Sequence, residues 1–115
     1  MIETDIFLAL KSLATGSAWN VKANDGTLPP YIVFSQAGGT AVNFLEATVV
    51  GKRNGRFQVN CWTRDAFASA ALSRQVEDVM VTTFKATVLG APVAVHEEDT
   101  DLYGMMQDFS LFFAT

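Results

Sequence analysis

Several residue types are scarce in this chain, and each scarcity removes a class of protein. Cys61 is the only cysteine, so the chain cannot form an internal disulfide and gives no sign of an oxidising compartment. Charged residues make up 17% of the sequence, below the roughly 25% typical of soluble domains. Acidic residues outnumber basic ones by 12 to 8, which argues against a nucleic-acid-binding groove, because that contact needs a basic face.

Long apolar runs and a basic amino terminus are missing as well. No run approaches the roughly 18 apolar residues of a membrane span. The first residues, MIETDIFLAL, carry acids where a signal peptide carries basic residues. We therefore expect no membrane contact and a cytoplasmic setting, or a particle that assembles in the cytoplasm.

The motifs of phosphate binding and nucleophilic catalysis are also missing. The stretch 38–40, GGT, has neither the lysine nor the spacing of a phosphate-binding loop. His96 is the only histidine, and no local motif pairs it with a nucleophile. Cys61 falls on the apolar phase of a strand pattern, where a cysteine usually acts as a small buried hydrophobe. We predict no catalytic residue, no metal site and no cofactor.

An acidic run near the end of the chain is the best candidate for a cation site. It contains the four carboxylates Glu97, Glu98, Asp99 and Asp101. Counted from Asp99, a calcium-loop pattern has Asp101 in its third position and Gly104 in its sixth. Tyr103 stands where the next acid belongs, and Ser110 stands where the distal glutamate belongs. A solvated hairpin turn therefore accounts for the run better than a calcium loop does.

What the chain has in abundance is apolar surface. Half of the 115 residues are apolar, and nine are phenylalanine. This length fits a single domain over residues 1–115. A small domain with so many apolar and so few charged residues cannot hide all of that surface in itself. We therefore expect an oligomer or a large partner interface.

Residues 56–84 form the clearest unit, a strand that runs into a long helix. Phe57, Val59 and Cys61 alternate with polar residues, which is typical of a strand with one buried face. A helical period follows over about 65–84, with Asp65 as its N-cap. Its predicted core stripe consists of Ala68, Leu72, Val76, Val79 and Met80.

Shorter patterns predict the remaining elements. They are a helix over 2–13, a loop over 16–30, strands over 31–35 and 47–51, a connector over 86–92, and strands over 93–96 and 103–114. The Asn54-Gly55 pair predicts a hairpin turn, with the basic cluster Lys52, Arg53 and Arg56 at its tip. The order favours a two-layer α+β fold, with a mainly antiparallel β-sheet and two α-helices packed on one face.

A second stripe on the long helix suggests an interface. Phe67, Arg74 and Val81 are spaced by seven, so they align opposite the core stripe. Aromatic residues and arginine are enriched in subunit contacts, although scattered apolar surface residues are also common. In the last strand, the apolar residues 111–113 occupy both faces, so we add Phe112 as a candidate contact.

Taken together, four stretches of the chain resemble one protein family. They are a short amino-terminal helix, a loop leading into a Pro-Tyr strand at 28–33 (LPPYIV), the strand-to-helix unit of 57–62 (FQVNCW) and 66–81, and the closing strand at 108–113 (DFSLFF). This arrangement, over residues 2–113, resembles the tail completion or tail terminator proteins of long-tailed bacteriophages and prophages. The resemblance rests on hydrophobic and turn patterns, and it carries no catalytic residue over.

The resemblance implies a structural virion protein that assembles in the bacterial host cytoplasm. It implies a hexameric ring that ends tail-tube polymerisation and presents the tail to the head completion or connector protein. DNA would cross the lumen without specific binding, and an acidic lumen suits that passage. We hypothesise that the acidic turn 97–101 faces the lumen or a tube-facing rim, and that the basic cluster contacts an acidic partner.

Two alternatives remain open at this stage. One is a different structural part, such as another head–tail joining protein or a minor tail protein. The other is a small ligand-binding or enzymatic α+β domain that uses His96 and the neighbouring acids.

Overall fold

The computed structural model describes residues 1–14, 17–24, 26–39 and 52–114. Its elements are α1 (Ile2–Leu10), a 3-10 helix (Lys11–Ala14), β1 (Ala18–Asn20), β2 (Tyr31–Gln36), β3 (Lys52–Thr63), α2 (Ala66–Phe84), β4 (Thr87–Glu97) and β5 (Leu102–Ala114). The strands form one five-stranded sheet in the order β1-β2-β3-β5-β4. Only the β1–β2 pair among them is parallel. The predicted α+β class with a mainly antiparallel sheet is confirmed.

Helix α2 begins and ends at recognisable caps. The Asp65 carboxylate accepts a hydrogen bond from the backbone N–H of Ala68 at 2.9 Å, so the predicted N-cap is confirmed. The Thr63 hydroxyl donates to the carbonyl of Asp65 at 2.6 Å and fixes the strand-to-helix turn. At the other end Lys85 takes a left-handed conformation, with φ of 56°, which terminates the helix.

The buried face of α2 differs from the predicted stripe at one position. Leu72, Val76 and Met80 are buried as predicted, and Val79 is half-buried. Ala68 is exposed, so its place in the predicted stripe is wrong. The buried arc instead includes Ser69 and Ser73. The face of α2 that contacts the sheet is therefore rotated relative to the predicted stripe, so that Ser69 is buried in place of Ala68. The Ser69 hydroxyl donates to the Ala66 carbonyl at 3.1 Å, which satisfies this buried polar group.

Near the amino terminus, α1 buries Ile6 and Leu10 and continues as a 3-10 helix that ends at Ala14. The prediction of a loop over 16–30 is wrong where β1 lies. Backbone N–H groups of Ile32 and Val21 donate to the carbonyls of Ser17 and Phe34, at 2.9 and 2.7 Å, and hold β1 beside β2. A strand of three residues is too short to show a period in the sequence.

The hairpin predicted at Asn54-Gly55 is wrong, because both residues lie inside β3. This strand pairs with β5 without a break, from Lys52 opposite Ala114 to Thr63 opposite Tyr103. The Asn54 side-chain amide donates to the Ser110 hydroxyl at 2.9 Å and to the Leu111 carbonyl at 3.2 Å. Cross-strand bonds of this kind outweigh the turn preference of the dipeptide. The strand predicted over 47–51 lies outside the described residues.

The connector predicted over 86–92 is also wrong, because β4 begins at Thr87 and contains a bulge. Leu89 pairs with Asp108 and Val93 pairs with Met106, so the residues between them bulge out opposite Gln107. The buried Gln107 amide donates to the carbonyls of Gly90, Asp108 and Leu89, at 3.0, 3.1 and 3.5 Å. Glycine and proline at 90 and 92 produce the bulge and also the misleading connector pattern.

Both helices pack on one face of the sheet, as predicted. The core joins residues of α1, α2 and the sheet in one cluster, which includes Ile6, Ile32, Phe34, Phe57, Val59, Cys61, Phe109 and Leu111. Along β5, Phe109 and Leu111 are buried on the helical side of the sheet, whereas Asp108 and Ser110 are half-buried on the opposite side. The molecule extends 52 × 25 × 24 Å, with the long strands accounting for its elongation.

Candidate assembly interface

The outer stripe of α2, defined as Phe67, Arg74 and Val81, lies in solvent. Phe67 is 86% exposed and Val81 is 41% exposed, although both side chains are apolar. Arg74 is exposed between them and forms no ion pair with any residue that the structure describes. Folding of the chain leaves most of the apolar surface of this aromatic ring in water, so that surface remains available for a contact with a partner.

A groove runs beside this stripe, where α2 overhangs β4 and β5. It has a volume of about 120 Å³ and is lined by Ala70, Ser73, Arg74, Glu77, Pro92, Met105 and Gln107. Small side chains on the helix keep the groove open, while Pro92 projects from the bulge of β4. Sequence reasoning missed this groove, because the alternation of β4 is interrupted at its bulge.

On the opposite side of the sheet, no helix of the described chain packs against the strands. Phe112 is 64% exposed there, whereas its neighbour Leu111 is buried and Phe113 is half-buried. Within the described chain, the apolar residues 111–113 are therefore covered on the helical side of the sheet but not on its open side. Within the described chain, the buried Trp19 Nε1 and Asn60 Oδ1 also find no hydrogen-bond partner. Both side chains lie on this open side of the sheet. Val33 lies between them, because it pairs with Trp19 on one side and with Asn60 on the other.

The acidic residues lie at the tip of the β4–β5 hairpin, as the predicted turn requires. Residues 98–101 form the turn, and Asp101 has a φ of 53°. The Asp101 carboxylate lies 2.8 Å from His96 Nε2, and the His96 ring packs on Tyr103 with 4.7 Å between ring centroids. No three His, Cys, Asp or Glu side chains converge as metal ligands within the described residues. His96 thus connects β4 with the turn and with β5 at the tip of the hairpin.

The basic cluster lies at the other end of the molecule, at the start of β3 rather than at a hairpin tip. Lys52 and Arg53 are exposed. Arg56 donates through Nε to the Asp108 carboxylate at 3.0 Å, and its Nη2 contacts the same oxygen. Glu97 pairs with Leu102 and Lys52 pairs with Ala114, so the two charged groups lie 12 residues apart along β5. That separation is about 40 Å at about 3.4 Å per residue.

Burial favours the neutral forms of two ionisable groups, Cys61 and Tyr31. Burial raises the pKa of the Cys61 thiol from 9.0 to about 12, which keeps it protonated and unreactive. Burial, together with the charge of Glu97, raises the pKa of Tyr31. A depression of about 460 Å³ beside Tyr31 and Arg64 has no cysteine, histidine or carboxylate among its described lining residues.

This is a small α+β protein. Its candidate surfaces for association are the exposed apolar side chains, the groove beside α2 and the two separated charged ends. Across the described residues, neither helix is long and apolar enough to cross a membrane.

Comparison with known proteins identifies the family. The model of the family "Tail completion protein gp17" matches residues 8–114, and the chain belongs to this family of phage tail structural proteins. No curated protein matches the sequence. Among solved structures, the chain is similar to one from the virion of a native gene transfer agent particle, with a TM-score of 0.61 and 16% identity. The match covers 96% of this chain and 92% of that one, and it shows a shared fold.

Proposed function

We propose that this protein closes into a ring of its own copies on the end of the phage tail tube. The ring, which we take to be a hexamer, stops polymerisation of the tube and presents a surface to the head completion or connector protein. Membership of the tail completion family supports a role at the end of the tail. The role is geometric, so it requires no catalytic group and no cofactor.

The observation that carries the proposal is the outer stripe of α2. Phe67 and Val81 expose apolar surface along a helix whose other side is fully packed. A chain that places one surface patch against a different patch of its neighbour forms a closed ring when the rotation between copies closes. Phe112, on the uncovered side of the sheet, is the matching candidate for a second contact.

Charge supports the passage of DNA through such a ring. The net charge is -4, and the hairpin turn carries Glu97, Glu98, Asp99 and Asp101 in solvent. Carboxylates that line a channel repel phosphates, so DNA passes without adhering. We propose that this turn faces the lumen or the rim toward the tube. The exposed Lys52 and Arg53, at the far end of β3, then remain available for an acidic partner surface.

The test is to replace Phe67 and Val81 together by aspartate and to follow assembly by sedimentation, alone and with added tail tubes. We expect a folded protein that neither closes into a ring nor caps tubes, because two charges would be buried at the contact. Leu28→Asp is the matched control, since Leu28 is an exposed apolar residue of a loop and does not belong to the outer stripe.

Two outcomes would contradict the proposal at different levels. An unchanged ring in the double variant would remove the outer stripe from the interface. A wild-type chain that associates neither with itself nor with tubes would remove the capping role. Binding to the connector in the absence of tubes would instead favour another head–tail joining role.

A further inference from the structure

The helical layer does not reach the edge of the sheet at β4. A helix is about 10 Å wide and strands lie about 4.8 Å apart, so each helix covers about two strands. The sheet has five strands, and among the residues that the structure describes two α-helices lie over it. Helix α2 packs mainly on β3 and β5. On the helical side of β4, Ala94 and His96 are therefore exposed, although Val88 next to the core is half-buried.

This uncovered strip is unusual for an edge strand. Strand β4 is 11 residues long, is exposed along most of its length and carries no charge before Glu97. Edge strands of monomeric proteins are usually short or carry lysine, which prevents unwanted pairing. The bulge at Pro92 is the only such protection within β4. The strip is about one strand wide, about 4.8 Å, and the groove beside α2 lies next to it, so a helix laid along β4 would border α2.

Helix α1, on the opposite side of the molecule, is the candidate to cover this strip of β4. Helix α1 packs against β1, the other edge of the sheet, and against α2. Its Leu8 is 53% exposed, and Asp5, one turn earlier on the same face, is exposed as well. A head-to-tail ring joins two different patches of neighbouring copies, and α1 and β4 qualify because they lie at opposite edges of the sheet.

Charge favours the same pairing. Arg74 borders the groove and has no ion-pair partner among the described residues. Asp5, in the first turn of α1, likewise forms no ion pair there. An arginine that meets a carboxylate at the rim of an apolar contact sets its orientation and register.

We propose that α1 of a second copy packs over β4, with Leu8 above Ala94 and with Asp5 beside Arg74, and completes the helical layer of its neighbour. The inference rests on the proposed ring and adds two surfaces to its subunit contact, α1 of one copy and β4 of the next. The outer stripe of α2 would then lie along the border of this contact, and Phe67 would close one end of the groove.

A charge exchange tests the pairing. Arg74→Glu and Asp5→Arg should each weaken self-association about tenfold, because each places like charges together. The double variant restores opposite charges and should return association to within about threefold of wild type. Arg64→Glu, which reverses an exposed cation in the turn between β3 and α2, is the control and should leave association unchanged.

A crosslink locates the contact independently of charge. Leu8→Cys combined with Ala94→Cys should give a ladder of linked chains with a short bismaleimide, whereas neither substitution alone should. The native Cys61 is buried and does not compete. A wild-type ring that is insensitive to both charge reversals and gives no Leu8–Ala94 ladder would overturn this inference but leave the ring intact. Absence of any self-association, with or without tubes, would instead remove the proposed function.

Discussion

On both the inner and the outer face of α2 the residues recur at helical spacing, but the two faces contain different kinds of residue. The inner face combines Leu72, Val76 and Met80 with two buried serines, whereas the outer face combines Phe67 and Val81 with Arg74. Apolar character alone therefore does not decide which face is buried within the chain. What distinguishes the inner face is that none of its buried residues is charged, whereas Arg74 lies between the two apolar residues of the outer face. The contrast can be tested by the stability of variants on each face.

Met80→Ala should have the largest effect on folding. Met80 is fully buried, and truncating such a side chain leaves a cavity that costs about 2–5 kcal/mol of unfolding free energy. Val81→Ala, the neighbouring substitution on the outer face, is the matched control and should change stability by less than about 0.5 kcal/mol. Chemical denaturation measures both. Equal effects of the two substitutions would contradict the division of α2 into two faces.

Alkaline pH should reduce stability through Cys61 on the sheet side of the core. The folded pKa of about 12 lies above the ordinary 9.0. Below pH 9 the thiol is protonated in both states, so its contribution is fully present. Between about 9 and about 12 the unfolded chain releases a proton that the folded chain keeps, so stability falls as pH rises.

The control for that measurement is Cys61→Ala, which removes the thiol and keeps every other titrating group. Thermal unfolding of both proteins across pH 8–11 isolates the contribution of Cys61. Parallel pH curves for the two proteins would show that the thiol is not buried in the folded state.

Asp65→Ala tests the end that both faces of α2 share. Loss of the hydrogen bond to the Ala68 N–H should cost about 1 kcal/mol of unfolding free energy. Asp65→Asn should retain most of the stability, since its side-chain oxygen can also accept this bond. Asp78→Ala, an acid exposed in the middle of the helix, should change little. A loss at Asp78 as large as that at Asp65 would point to general electrostatics instead of a cap.

The smallest effect on folding is expected from Phe67→Asp. Because Phe67 is 86% exposed, the unfolding free energy of the monomer should stay within about 0.5 kcal/mol of wild type. Denaturation at low protein concentration, where self-association does not contribute, is the measurement. A loss above about 1 kcal/mol would show that Phe67 packs within its own chain.

Elements with a sustained period were predictable from the sequence. The helix over 65–84 and the alternation of Phe57, Val59 and Cys61 in β3 appear nearly as expected. The family was also recognisable, because its hydrophobic order survives without any chemical signature. The exposure of Phe67, Arg74, Val81 and Phe112 follows the predicted pattern. Their role in an interface stays a prediction, as does the treatment of residues 1–115 as a single domain.

Errors arose where a local signal was overridden by distant pairing. Asn54-Gly55 has strong turn chemistry, yet Asn54 is bonded to Ser110 and Leu111 on a strand that lies far away in sequence. Gly90 and Pro92 interrupt β4 without ending it, because Gln107 holds the bulge from the neighbouring strand. A single sequence does not show which distant strand will supply such bonds. The groove beside α2 depends on that bulge and was missed for the same reason.

The bulge in β4 also determines which way its outer half faces. Between Leu89 and Val93 the strand uses four steps, whereas β5 uses two from Asp108 to Met106. The excess is an even number, so the side-chain alternation keeps its phase across the bulge. Val93 and Val95 therefore remain on the open side, while Ala94 and His96 remain on the helical side. Parity fixes these roles: one residue more or fewer at 90–92 would exchange the two sets and turn valines toward the place where Ala94 and His96 now lie.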